Sequence, residues 1–255
     1  MKYWLIIRTS LLVTLTALLL AGNLHAGQER RDTLVFNVST GGYPPYTIIN
    51  EDGSVSGLMW DLLALFAEDQ ALDLVAHQTP PRRVDAFLIE GRLDVVMRAI
   101  EWTPEPERFL FTDPIVRTRD VLVSHRERPL DYTGEETLHG RRILAQLGFM
   151  YPIFDPLVEN GLSERFDVQF EPELFRRLLD GRHFHAAIAD EQVARWVIHR
   201  HNWQEHLHIS KQAISEADYR FMFGPGHGAL VDAFNLWLQE ARRSGELDQI
   251  LSDYQ

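Results

Sequence analysis

Gly91-Arg92-Leu93-Asp94-Val95-Val96-Met97-Arg98-Ala99-Ile100-Glu101-Trp102-Thr103-Pro104-Glu105-Pro106-Glu107-Arg108-Phe109-Leu110-Phe111-Thr112-Asp113-Pro114 is the stretch on which the fold reading turns. Gly91 opens it as a turn. The apolar run Leu93–Met97 reads as a buried strand. A loop dense in charge and aromatic surface follows and closes on Phe111-Thr112-Asp113-Pro114. Polar side chains delivered at the end of a buried strand are how α/β proteins commonly line a ligand cleft.

Upstream, Thr33–Ser39 is β-branched and alternating, which predicts a first strand. Thr40-Gly41-Gly42-Tyr43-Pro44-Pro45-Tyr46-Thr47 follows, and its prolines place it in an irregular loop after that strand. A hairpin turn at Glu51–Ser54 leads to a helix over Gly57–Ala67, with Leu58, Leu62, Leu65 and Phe66 expected on its buried face. Asp73–Ala76 reads as a strand and Arg82–Glu90 as a short helix. The Arg82-Arg83 pair is read as a solvated helix start, with an anion contact as the other option.

Downstream, Arg119–Val123 and Arg141–Ala145 read as strands separated by the charge-rich segment His125–Glu136. Gly148-Phe149-Met150-Tyr151-Pro152 lies at the end of the second. Backbone N–H groups at such a strand-to-helix turn suit an anionic group. An amphipathic helix over Phe170–Leu179 precedes Gly181-Arg182 and then His183-Phe184-His185-Ala186-Ala187-Ile188-Ala189-Asp190. That order of helix, Gly-Arg turn, strand and polar switch echoes the opening stretch and predicts two similar α/β lobes. Tyr219–Phe223 reads as a strand, Leu230–Ser244 as a helix, and Gly245-Glu246-Leu247 with Ile250, Leu251 and Tyr254 ends the chain.

Taken in order, Gly91-Arg92-x-Asp94, Thr103-Pro104-Glu105, Phe111-Thr112-x-Pro114, the Tyr43-Pro44-Pro45-Tyr46 loop, Asp61-Leu62 and the Gly-x-Leu…Tyr tail resemble the family 3 periplasmic solute-binding proteins. The resemblance spans Thr33–Tyr254. It implies an α/β, two-lobe periplasmic-binding-protein-like fold, each lobe a sheet flanked by helices, joined by a two-crossing hinge. Lobe 1 would combine 33–121 with 213–255, and lobe 2 would span 122–212. In the family the loop aromatic lies against the ligand, which points to Tyr43 and Tyr46. The glycine-containing loop of the second lobe points to Phe149 and Tyr151. The carboxylate that holds a ligand ammonium matches Asp190, for which a helix N-cap is the plainer reading.

The pattern breaks at the arginine that clamps a carboxylate with its two-pronged fork. Pro106 follows Thr103-Pro104-Glu105, and Arg108 comes two residues late. Either Arg108 keeps the role or Arg98 replaces it, with Glu101 as a new acceptor and Trp102 as a stacking wall. An Arg98–Glu101 ion pair is the alternative. The implied ligand is a small polar solute, with an amino-acid-like one as an option; the broken clamp argues against an ordinary α-amino acid.

Composition bounds the rest. With 25 basic and 37 acidic residues the formal net charge is −12, which argues against nucleic acid and anionic lipid as partners. No cysteine is present, so thiolate catalysis and disulfides are excluded. Residues 1–26, with Lys2 and Arg8 before an apolar run from Leu11 to Ala21, read as a secretory signal peptide, and 27–32 as a flexible lead-in. The apolar run is shorter than the roughly 20 residues that span a bilayer. No Gly-x-Ser-x-Gly, P-loop or His-Glu-x-x-His pattern occurs. The histidines at 183, 185, 199, 201, 206 and 208 are read as scattered surface residues, with no metal or cofactor expected.

The expectation is a periplasmic monomer that binds a small polar ligand for an ABC permease or a membrane sensor. A dehydratase-like cleft enzyme and a solute-sensing component of a signalling system are the alternatives.

Overall fold

The computed structural model describes residues 32–254 apart from 182. The expected leader, the lead-in up to residue 31 and Arg182 of the second Gly-Arg turn lie outside the described residues.

The first half runs strand, helix, strand, helix, strand. β1 (Thr33–Val38) buries Leu34, Phe36 and Val38 on one face, as its alternation predicts. A small hairpin of β2 (Ile48–Ile49) and β3 (Val55–Ser56) leads into α1 (Leu58–Asp69). β4 (Asp73–Gln78), α2 (Pro81–Ile89) and β5 (Val95–Arg98) follow. Pro81 sits in the first turn of α2, where a missing N–H removes no helical bond. β4 and β5 flank β1, and both pair with it in parallel.

The chain then passes through β6 (Leu110–Phe111) into the long β7 (Val116–His125). The second half repeats the first: β8 (Arg142–Gln146), α3 (Asp155–Glu159), β9 (Glu164–Val168), α4 (Glu171–Asp180) and β10 (Ala186–Asp190). β9 and β10 flank β8, again in parallel. The order β9-β8-β10 therefore mirrors β4-β1-β5, and the echo between the two Gly-Arg turns is a repeat of topology. α5 (Glu191–Arg200), β11 (Leu207–Ile209), β12 (Ser215–Phe223), α6 (Gly228–Ser244) and α7 (Glu246–Ser252) complete the chain.

Two antiparallel strands join the halves. Arg220–Phe223 of β12 pair with β5, while Ser215–Tyr219 pair with Asp120–Val116 of β7. β7 in turn pairs with β10 through Asp120–Val123. Both strands begin earlier than local apolar content suggests, β7 at Val116 rather than Arg119 and β12 at Ser215 rather than Tyr219. Every added residue pairs across these two strands, Thr118 with Ala217 and Arg117 with Asp218 among them, and that partnership is invisible to a local reading.

Aromatic packing closes the first half. Phe36, Phe66, Phe221 and Phe234 are fully buried, with the Phe66 and Phe221 rings 5.0 and 5.1 Å from Phe234 in edge-on contacts. Leu65, expected on the buried face of α1, is 38% exposed; Met59 and Leu63 fill that stripe with Leu58, Leu62 and Phe66. The tail returns to this half, where the Tyr254 hydroxyl donates to Asp61 on α1.

Candidate functional site

β10 runs opposite to β1 and β5 across the antiparallel pairings of β12 and β7, so its end meets the loops after β1 and β5 head-on in one region. After β1 the loop folds back on itself, with Tyr43 N donating to Thr47 O at 2.7 Å. This stacks Tyr43 on Tyr46 with ring centroids 5.8 Å apart. Tyr219 of β12 meets Tyr46 edge-on at 5.0 Å and Trp102 at 5.6 Å, and Phe149 from the loop after β8 comes within 5.6 Å of Tyr43. The result is an aromatic chamber built from both halves.

Two adjoining spaces open off it. The outer cleft holds about 330 Å³ and is lined by Asn37, Ser39, Thr79, Arg82, Asp85 and Arg98 beside Tyr43, Trp102 and Phe149. The inner space is small, about 20 Å³, which is room for one water molecule. Tyr43, Trp102, Phe149 and Tyr219 line both. Around the inner one stand Asp120, Glu171 and Asp190, with Gln146 and Tyr151 and no basic side chain.

Asp190 ends β10 and caps α5, its carboxyl accepting from Val193 N at 2.9 Å. The Tyr46 hydroxyl reaches it from the first half at 3.2 Å, and the Thr118 hydroxyl donates to it from β7. The helix-cap reading and the cleft reading of Asp190 thus hold together. It is 2% exposed, and burial raises its carboxyl to about 6 against the donors from Thr118 and Val193. Asp120 accepts from Ser215 Oγ at 2.9 Å, and burial pushes it up to about 7. Glu171, in the first turn of α4, is also pushed by burial to about 7.

Arg98 leaves β5 into the outer cleft and pairs with Asp85 on α2 at 3.2 Å, not with Glu101. Glu101 is exposed and lines neither space. Arg108 is exposed as well and pairs with Glu105 at 2.5 Å. The late arginine is held in its own short turn, because Glu105 takes a left-handed conformation that starts a 3-10 turn at Pro106. Tyr43, Tyr46, Trp102, Phe149, Tyr151 and Asp190 are brought together; Glu101 and Arg108 are not.

The matching family is described as Bacterial extracellular solute-binding proteins, family 3, and the match covers residues 36–255. The chain belongs to this family. A probable histidine-binding protein of Campylobacter jejuni is 22% identical, over 97% of each chain. An ancestral arginine-binding protein bound to arginine superposes with a TM-score of 0.75 at 22% identity, covering 88% of this chain and 98% of the other. A histidine kinase sensor domain with similarity to periplasmic binding proteins superposes equally well, with a TM-score of 0.75 at 22% identity over 89% and 97%. At this identity the structural likeness establishes the periplasmic-binding-protein fold.

This family 3 solute-binding protein has site residues that local reading passes over. Asp120 follows Arg117 and Arg119 at the polar start of β7 and so looks like one more exposed strand charge, although it is buried. Glu171 looks like an ordinary acid favouring a helix N-terminus. Arg165 is the support of the second-half loop: it pairs with Asp155 at 2.6 Å, donates to the Gln146 and Phe149 carbonyls at 3.0 Å each, and lies over the Tyr151 ring. The histidines are spent separately, His208 on Asp131, His199 on Gln204 and His185 on the Arg142 N–H. Among the described residues no group of His, Asp and Glu is placed to hold a metal ion.

Proposed function

We propose that the chain is a periplasmic binding protein for a small amino-acid-like solute, held between two lobes and handed intact to an ABC permease. The observation that carries this is Asp190. A buried carboxyl at a strand end, facing aromatic walls and lacking a basic neighbour in its space, is costly unless a ligand cation completes it. Arg98 and the exposed Arg82 at the outer cleft suit a ligand carboxylate at the opposite end.

In this reading β7 and β12 are the two crossings of the hinge, lobe 1 being 33–121 with 213–255 and lobe 2 being 122–212. Tyr46 and Asp190 come from different lobes, so a ligand touching both favours the closed arrangement. A membrane sensor as the receiving partner would use the same closure, and the likeness to a kinase sensor domain supports that second reading.

Thermal-shift screening of the mature chain against amino acids, amines, small acids and sugars, followed by calorimetry, tests the proposal. A solute that raises the melting temperature and is recovered unchanged is expected. Recovery of a converted product would move the chain to the dehydratase-like class, and a complete absence of binding across the panel would end the reading.

A further inference from the structure

The chain carries a formal charge of −12, yet one concavity away from the cleft has basic residues as its only ionisable walls. This trough holds about 530 Å³ and is bordered by Arg126, Arg195, His199, His208 and Lys211, with no acid among the described residues that line it. Lysine occurs at positions 2 and 211 only, so Lys211 is not a sample of a lysine-rich surface. α5 starts beside Asp190 at the cleft and carries His199 in its last turn. That places His199 about 13 Å along the helix axis from Asp190. β7 leads the same way, from Asp120 to His125, with Arg126 next.

The basic residues form two rows. Arg195 and His199 are four residues apart on α5, so they share a face and lie about 6 Å from one another along its axis. Arg126 follows the end of β7, and His208 and Lys211 come from β11 and the residues just after it, paired antiparallel with that end. Between the rows the floor is apolar, with Ile198 and Leu207 buried and Ile209 half-buried. An apolar floor strengthens the attraction of charges at its rim.

Their partners within the chain leave donors unspent. Glu191 accepts from both Arg119 and Arg195, at 2.6 Å each, and Glu216 is shared between Arg117 and Arg119. Three arginines thus meet two carboxylates. Arg126 donates from one nitrogen to the Gln204 carbonyl at 2.8 Å. His199 Nδ1 meets the Gln204 amide at 3.0 Å, which leaves its Nε2 for a guest. His208 faces Asp131 at 3.0 Å, and the same carboxylate takes the Lys211 backbone N–H at 3.3 Å.

We propose that this trough is a binding site separate from the cleft, for a small oxyanion of two or more charges, such as pyrophosphate or a tricarboxylate. The proposal does not depend on the solute-binding reading. Guanidinium forks and an ammonium group suit carboxylate and phosphate oxygens alike. Basic groups spread over two rows reward a guest whose charges are themselves separated, which a single carboxylate cannot offer.

The test is calorimetry at pH 7.5 in about 20 mM salt, where screening is weak, on the mature chain and three variants checked for folding by circular dichroism. R126E/K211E reverses two charges of the trough. R176E/R243E makes the same charge change at exposed positions outside it, and R98A removes a cation of the outer cleft. The probes are pyrophosphate, citrate, acetate and an aspartate-rich hexapeptide. The wild type is expected to bind pyrophosphate or citrate at least tenfold more tightly than acetate; either one supports the site and shows which oxyanion it takes. R126E/K211E should lose at least tenfold in that affinity, while R176E/R243E and R98A stay within threefold of the parent. Equal weakness for all the small probes, or undiminished affinity in R126E/K211E, overturns the site. An equal loss in R176E/R243E would mark bulk charge and overturn it too, as would a loss confined to R98A, which puts the anion in the cleft. Binding of the hexapeptide without the small anions overturns the small-ligand class in favour of an acidic protein segment.

Discussion

Asp120 and Asp190 stand directly opposite one another in the antiparallel pairing of β7 with β10, both buried on the same face. Opposed residues of such a pair have Cβ atoms roughly 4.5–5.5 Å apart, and like charges there repel. Their repulsion adds to burial in raising Asp120. Such a pair titrates as a unit and cannot lose both protons cheaply without a cation.

The ligand-free protein should therefore lose stability as pH rises. The native carboxyls of Asp120 and Glu171 titrate near 7 and that of Asp190 near 6, above their ordinary values, so the native state holds more protons than the unfolded one across that interval. Stability is fully present below about pH 4 for these groups and falls as pH passes through about 6 to 7. Asp120→Asn should flatten the fall and gain about 1 kcal/mol at pH 8, about 2–4 °C in melting temperature. Melting curves of both proteins from pH 5 to 8 decide it, and parallel curves would remove the buried-pair argument.

Affinity should move the other way. The cationic group proposed for the ligand needs an ionised partner, so binding near pH 6 should expel a proton from Asp190 and its buried neighbours. Affinity should rise severalfold between about pH 5.5 and about pH 8, and the heat of binding near pH 6 should vary with the ionisation enthalpy of the buffer. A buffer-independent heat at pH 6 would mean that no carboxyl titrates on binding.

Much of this arrangement could be read from local sequence, and the unread part has one cause. The strand–helix–strand halves announce themselves because each element buries its own apolar stripe, and Asp190 is visible because a carboxylate ends an apolar strand. Asp120 and Glu171 are different. Asp120 gains its meaning from the register that sets it opposite Asp190, and Glu171 from the way α4 enters beside the loop after β8. Arg108 depends on packing in the same way: the resemblance offered it as one of two candidate clamps, and the left-handed turn at Glu105 gives it a local partner. Register and loop direction are products of packing.

Two substitutions test the ends of the ligand. Asp190→Ala removes the carboxyl proposed to face a ligand ammonium, and Arg98→Ala removes the outer cation while leaving Asp85 unmatched. Each should weaken binding at least tenfold, about 1.4 kcal/mol. Asp190→Ala should also lower stability by about 0.5–2 kcal/mol through loss of the α5 cap, whereas Arg98→Ala should cost at most about 1 kcal/mol through loss of the part-exposed pair with Asp85. Unchanged affinity in both variants by calorimetry would displace the site.

Gly57 sets the approach of α1 to the tyrosine loop. Its φ is +114°, and a Cβ there would lie 2.7 Å from the Tyr46 carbonyl oxygen. Backbone, not a flexible side chain, would have to move. Gly57→Ala should cost about 1–3 kcal/mol in urea unfolding and should lower affinity as well, because the displaced carbonyl belongs to the residue that touches Asp190. A variant as stable as the parent would show that the loop yields at no cost.

Trp102 offers a direct report of occupancy. It lines both the inner space and the outer cleft and leans edge-on against Tyr219, so a guest must change its surroundings. Titration with a bound solute should shift or quench tryptophan emission. Trp102→Phe should abolish most of that signal while keeping affinity within about threefold, since a phenyl ring preserves the wall and loses only part of the cation attraction. If the variant binds and its emission change matches the parent's, the signal arises at another tryptophan and the guest does not pass between these walls.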